Sequence, residues 1–241
     1  MKSLKDDYGY NQRLFSGGLR GRLHLARFHW LAGELARRGL PAATVLELGC
    51  FDGKLIDFFP IKPARYVGFD ANWEGGLDLA REKWAQTPAY TFFKSTTPEE
   101  MALDDDDVFD IGVVMETLEH IPPQLVDGYL EKMARHLDGY FFATVPNEKG
   151  IVFLSKWLVK KLLSRDAAPY SFAELINATL GRMTHVSRRE HKGFDYDALI
   201  VEIKKHFDVI EVAGIPAGFL PPFFSFGVGI LAKSRRRTRE A

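Results

Sequence analysis

The 241-residue sequence predicts an α/β fold built on a doubly wound, mostly parallel sheet, and three observations predict it. Short apolar runs alternate with stretches of helical periodicity, the rhythm of right-handed crossovers that cover both faces of a sheet. The run Val45-Leu46-Glu47-Leu48-Gly49-Cys50-Phe51-Asp52-Gly53 reads as a strand passing directly into a glycine-bearing turn. The next strand, Tyr66-Val67-Gly68-Phe69-Asp70, ends in a carboxylate roughly 20 residues further on, the spacing at which such folds present an acid to ribose hydroxyls.

The elements follow in order. Leu19, Leu23, Ala26, Trp30, Leu31 and Leu35 recur at helical spacing, with Arg20, Arg22, Arg27, Arg37 and Arg38 between them as a solvated face. Gly39 and Pro41 stop this helix before the first strand, so residues 1–40 form an N-terminal helical extension. A short helix over 54–59 stops at Pro60, another runs over 76–84, and 90–93 is the third strand. The acidic run 104–107 has neither apolar periodicity nor the glycine of a calcium loop and reads as a solvated turn. Residues 109–115 form the fourth strand, 123–137 an amphipathic helix and 140–145 the fifth strand. The alternation then breaks: 151–163 and 171–180 are two helices of an inserted cap spanning 148–192. It resumes with a helix over 196–205 and strands at 209–212 and 226–232. The length fits one domain over 1–241.

Lys plus Arg and Asp plus Glu both number 32, so no overall field draws the chain to nucleic acid, which is not expected as a partner. The single cysteine, Cys50, can form no internal disulfide, which fits a reducing compartment. Neither a leader pattern nor a run of about 20 apolar residues is present, and cytoplasmic placement is the expectation.

These residues resemble the class I S-adenosylmethionine-dependent methyltransferases, whose first motif is an acid followed by glycines and whose second strand ends in an acid. The fourth-strand segment Phe109-Asp110-Ile111-Gly112-Val113-Val114-Met115-Glu116-Thr117-Leu118-Glu119-His120-Ile121-Pro122 is similar to that of the subgroup carrying Glu-His after this strand. The resemblance implies a Rossmann-like, seven-stranded sheet with an antiparallel last strand. It also implies S-adenosylmethionine as cofactor and methyl transfer as activity. Asp70 would then take the ribose hydroxyls and Glu47 would order the turn or meet the aminopropyl end. Gly49 and Gly53 would line the methionine part. Cys50, Ala71, Met115 and Glu116 would complete the cofactor site, with Ser95 near adenine in place of the family's customary acid. Phe51 departs from the pattern, standing where a glycine is usual.

Methyl transfer from a sulfonium is an in-line displacement, so the protein chiefly aligns the reactants, which can supply roughly 7–11 kcal/mol, and removes a proton from the acceptor. His120, just past the fourth strand, can act as that base, or it can simply hold the loop. His191 and His185, which flank a basic stretch, are further catalytic or acceptor-binding candidates. No metal is assigned, because nothing in the spacing of His120, His185 and His191 fixes three ligands together. Glu119 reads as solvated or capping.

The expected acceptor is a small molecule, lipid-linked species or glycan intermediate, with oxygen the expected methylated atom and nitrogen or carbon left open by the sequence. Residues 151–163 are too short to span a bilayer and leave two readings, a lid helix packed on the core or an interfacial helix in peripheral contact with a membrane. The alternatives in other classes are a non-catalytic cofactor-binding module and a nicotinamide-dependent oxidoreductase. The latter would want three glycines in the first turn.

Overall fold

The computed structural model describes residues 19–163, 170–189 and 191–235. The start of the N-terminal extension, the segment 164–169 within the cap, Glu190 and the arginines beyond Arg235 lie outside the described residues. Seven strands form one sheet: β1 (Thr44–Leu48), β2 (Arg65–Asp70), β3 (Tyr90–Lys94), β4 (Phe109–Met115), β5 (Leu137–Pro146), β6 (Phe207–Ile215) and β7 (Gly227–Ser234). Their order is β3-β2-β1-β4-β5-β7-β6. The first five pair in parallel, while β7 runs antiparallel to both β5 and β6. This is the seven-stranded arrangement with an antiparallel last strand that the sequence predicts.

Central β1 and β4 are buried on both faces, which explains why they read as near-continuous apolar runs. Successive residues on a strand face opposite sides. Val45 therefore joins Leu31 and Leu35 of α1 (Leu19–Arg38) and Leu77 of α2 (Gly76–Lys83) on one face. Leu46 and Leu48 join Leu130 of α3 (Pro123–Arg135) and Ile203 of α6 (Tyr196–His206) on the other. Each such buried side chain contributes roughly 1.5–3 kcal/mol. The chain leaves β1 for β2 on one side, while β4 flanks β1 on the other, so the connections diverge above these strands' carboxyl ends. That divergence opens the crevice in which sheets of this kind bind ligands.

Local signals act largely as expected. Gly39, at φ 60°, ends α1, and the Leu40 N–H bonds the Leu35 carbonyl across the last turn. The segment Lys54–Phe58 is a 3-10 turn. The solvated face assigned to the arginines of α1 holds for Arg37 and Arg38, which pair with Glu34 and with Glu211 of β6. Arg27 is a correction: it is half-buried and lines the crevice, because α1 lies over the crevice's edge and one flank of its polar side faces inward.

The insertion forms a cap of two helices, α4 (Gly150–Leu163) and α5 (Phe172–Thr179). Ser171 starts α5 with a capping box, its hydroxyl accepting the Glu174 N–H while the Glu174 carboxylate accepts the Ser171 N–H. Phe153, Ala178, Met183 and Val186 form a small separate core, against which Trp157, Tyr170 and Leu175 pack. Lys149, only 3% exposed, ties the cap's base to α6 through Asp195 and Asp197.

Candidate functional site

A cavity of about 630 Å³ opens over the carboxyl ends of β1, β2 and β4. Of the residues expected to bind a cofactor, Glu47, Gly49, Cys50, Asp70, Ala71, Ser95, Met115 and Glu116 line it. Gly53 does not; it sits behind the turn at φ 66°, packed against the Trp84 side chain.

The floor is built by two interlocking loops. Gly49 has φ 80°, and its N–H donates to the Phe69 carbonyl at 2.7 Å. A Cβ at this position would fall 2.0 Å from Thr117 Oγ1, so the β1 turn and the β4 loop meet only because residue 49 has no side chain. Phe51 does not close the crevice. Its ring lies over Gly76 at the start of α2, where an added Cβ would be 2.4 Å from Phe51 Cδ2.

Asp70 is fixed by two backbone donors, with Phe51 N–H on Oδ2 at 3.1 Å and Asn72 N–H on Oδ1 at 2.7 Å. Burial raises its pKa, and those two bonds pull it down. Glu47 is 2% exposed and accepts the Tyr66 hydroxyl. Burial pushes its carboxyl up to about 8, the Tyr66 bond opposes this, and nearby Asp52 and Asp70 add to it. Cys50 is buried, with its thiol pKa raised by burial, which keeps it from thiolate chemistry. Ser95 lines the cavity but gives its hydroxyl to the Thr97 carbonyl at 2.8 Å.

Among the lining residues that the sequence reading did not single out as site residues are Arg27, His24 and Trp73. Arg27 Nε is buried with no hydrogen-bond partner among the described residues. Such a donor, lining the same cavity as the bare backbone of Gly49 and the fixed carboxylate of Asp70, fits a ligand that carries both a carboxylate and a ribose. Glu47, Asp52, Asp70, Glu74, Glu116 and Glu119 outnumber Arg27, Lys54 and Lys160 around the cavity, a set whose ionised forms favour a cationic ligand.

Beyond β4 the chain brings Glu119, His120 and His191 together. The two imidazoles stack edge to face with centroids 4.3 Å apart, and both line the cavity. His185 does not: it is exposed at the end of the 3-10 turn Met183–His185 and outside the cavity lining. Glu119, expected to be solvated or capping, is instead 2% exposed, because the segment after the cap's two helices closes over it and Arg188 donates to its carbonyl at 2.9 Å.

His191 sits in a tight turn closed by the Arg189–Lys192 bridge. Glu174 of α5 fastens both sides of that turn, accepting from Ser187 N–H and Oγ and pairing with Lys192 Nζ. These bonds hold its pKa below the usual carboxylate range. Glu174→Ala should therefore raise amide exchange across 187–193 by roughly tenfold, and loss of the α5 capping box should lower global stability by about 1 kcal/mol. Unchanged exchange would show that the turn holds itself.

A family model described as a methyltransferase domain matches residues 23–190. A ubiquinone biosynthesis O-methyltransferase of Hahella chejuensis is 30% identical over 181 residues, covering 72% of this chain and 75% of that protein. One from Pseudomonas paraeruginosa is 29% identical over 191 residues, covering 76% and 80%. Among solved structures, an S-adenosylmethionine-dependent methyltransferase from Clostridium acetobutylicum superposes with TM-score 0.65 at 13% identity, over 95% of this chain and 97% of that one. The N-methyltransferase NodS of Bradyrhizobium japonicum, in complex with S-adenosyl-L-homocysteine, gives 0.57 at 11% identity, over 95% and 99%.

Proposed function

Because the chain belongs to the class I, Rossmann-like S-adenosylmethionine-dependent methyltransferases, we propose that it methylates a hydroxyl oxygen of a small acceptor related to quinone precursors and bearing an apolar tail. The observation that carries this reading is the His120–His191 pair beside the cofactor crevice. A hydroxyl oxygen attacks poorly while it keeps its proton, and an imidazole lining the cavity can take it.

In this reading S-adenosylmethionine supplies an electrophilic methyl group. Asp70 holds the ribose, Arg27 takes the methionine carboxylate, and Glu47 and its neighbouring acids favour the positive end of the donor. His120 and His191 flank the acceptor hydroxyl. Bound there, the donor would give its methyl group to the acceptor oxygen and leave as a neutral thioether, while an imidazole of the pair would take the hydroxyl proton. The cap and α1 exclude water from this step.

The apolar tail is argued from the cap's outer surface. Phe153 and Trp157 of α4 face the cap's own core, whereas Ile151, Leu158, Val159 and Leu162 are exposed, Leu162 at 82%. Phe172 and Ile176 of α5 and Phe219 and Phe224 in the β6–β7 connection are exposed too. Lys160, on the same helix, reaches the cavity rim. No described helix is long and apolar enough to cross a membrane. A face of this kind suits peripheral contact, with the acceptor's tail entering from the lipid side.

Labelled methyl transfer to a panel of hydroxylated aromatic acceptors, with and without a tail, tests the reading. Transfer to oxygen, with kcat/KM rising with the tail, is expected; transfer to nitrogen alone would overturn it. His191→Ala should lower turnover at least ~100-fold, the scale of general acid–base catalysis, with donor affinity within about twofold. Unchanged turnover in both His120→Ala and His191→Ala would remove these histidines from the chemistry. Leu162→Asp should weaken binding to anionic liposomes, and a wild-type protein that ignores liposomes would sink the membrane part alone.

A further inference from the structure

Asp70 is bonded by two backbone N–H groups, and both donors hold left-handed backbone, Phe51 at φ 45° and Asn72 at φ 56°. Such backbone is unfavourable in residues other than glycine and persists only where the surroundings impose it. Here they do. The Asn72 side-chain oxygen accepts the Leu77 N–H at 3.1 Å, closing the turn over 72–77, and the Phe51 ring rests against the bare backbone of Gly76 in that same turn.

Trp73 stands on this fixed turn. It lines the cavity yet is 74% exposed, and among the described residues its indole has no hydrogen bond, ring or cation partner. A lone aromatic on a surface carries no message by itself. One set at the rim of a ligand cavity, on a turn fastened from two sides, is a binding face without an occupant from the protein.

The strand order says which part of the donor meets it. Across the carboxyl ends the cavity passes from Gly49 after β1 to Asp70 at the end of β2, then to Ser95 and Thr96 after β3. With Asp70 on the ribose and the bare turn at Gly49 on the methionine side, the base is left the space between the turn of Trp73 and the loop after β3. The side chains of that loop have little to offer a base's polar edge. Ser95 gives its hydroxyl to the Thr97 carbonyl at 2.8 Å, and Thr96 gives its hydroxyl to the Glu100 carboxylate at 2.8 Å. What remains to be held is the flat face of the base, and an indole offers a broad aromatic surface for it.

We propose that Trp73 stacks on the adenine of S-adenosylmethionine, so that this protein holds the base by its face rather than by its edge. The inference concerns the donor alone and stands whichever acceptor atom is methylated. Stacking is tolerant of base identity, because every base has a π-face. The site therefore accepts a donor analogue with an altered base edge, whereas a site built on edge hydrogen bonds rejects one by orders of magnitude.

The test is binding to the full chain without acceptor, so turnover plays no part. Covering the indole with S-adenosylhomocysteine should shift or quench tryptophan emission, and Trp73→Phe should abolish that change while Trp30, Trp84 and Trp157 remain. By calorimetry, Trp73→Ala should weaken S-adenosylmethionine, S-adenosylhomocysteine and adenosine by a common factor of about tenfold, the scale of one base stacked on an aromatic ring. Trp73→Phe should recover most of that loss. S-inosylhomocysteine, whose base differs only at its edge, should bind the wild type within about threefold of S-adenosylhomocysteine. Unchanged affinity in Trp73→Ala, or an emission change that survives in Trp73→Phe, would overturn the proposal. So would a loss confined to S-adenosylmethionine, which would put the indole on the sulfonium, or rejection of the inosine analogue by more than ~100-fold. Trp73 makes no buried contact, so its variants keep the fold. Transfer to nitrogen in place of oxygen would fail the function proposed above and leave these measurements untouched.

Discussion

Gly49→Ala is expected to lower affinity for S-adenosylmethionine by more than ~100-fold and global stability by about 3 kcal/mol. Two costs combine. The residue holds φ 80°, where an L side chain costs roughly 1–2 kcal/mol. The added Cβ would also stand 2.0 Å from Thr117 Oγ1 and 2.7 Å from Cγ2, so the β4 loop must move away. That loop carries Glu116, Glu119 and His120, and the turn itself is where the donor's methionine part would lie. Calorimetry and chemical denaturation measure the two effects. Thr117→Ala in the Gly49→Ala background removes two of the three clashing atoms and should recover at least ~1 kcal/mol of the stability but not the backbone strain. Binding within about threefold of wild type in Gly49→Ala would show that the donor does not use this turn.

The contrast between Gly49 and Glu119 shows what local sequence carries. That Glu47, Gly49 and Asp70 line one crevice was legible because their places depend on position along two strands and on the geometry of one turn, both written within a few residues. The sheet was legible for the same reason: β1 and β4 are short apolar runs because helices cover both faces. Arg27 was not, since periodicity places it on the polar side of α1 but cannot say that this helix roofs the crevice. The fate of the Phe51 ring depends on Gly76, 25 residues later, offering bare backbone to receive it. Glu119 looked solvated because the chain that buries it comes from the far side of the cap. His191 and His185 are equivalent as sequence, and only the turn closed by Arg189 and Lys192, fastened through Glu174, decides which one reaches His120. Long-range packing, rather than any weakness of the motifs, separates what could be read from what could not.

Stability of the cofactor-free protein should fall as pH rises from about 4.5 to 8, and Glu47→Gln should remove part of that slope. Glu47 is 2% exposed, and burial raises its pKa from the ordinary carboxylate value to about 8. Through this window the folded state keeps the proton while the unfolded chain has lost it. The folded state thus binds more protons, and the derivative of unfolding free energy with pH is negative. Above 8 the Glu47 contribution levels off. A tenfold difference in proton affinity between the two states is worth about 1.4 kcal/mol, so Glu47→Gln should be more stable than wild type by about 2–4 kcal/mol at pH 8.5 and nearly equal to it at pH 4.5. Other buried acids in the crevice contribute slopes of their own, which cancel in the difference between the two proteins. Donor binding should run the other way, because the sulfonium and ammonium of S-adenosylmethionine favour the ionised carboxylate. Wild-type affinity should therefore rise at least ~threefold from pH 6 to 7.5, with proton release on binding seen as a dependence of calorimetric heat on buffer ionisation enthalpy. Glu47→Gln should bind the donor more weakly at pH 7.5 and show neither the rise nor the release. Equal pH slopes in the two proteins would mean that the Glu47 carboxyl is already ionised beside Tyr66, and that the crevice meets the donor with its charge in place.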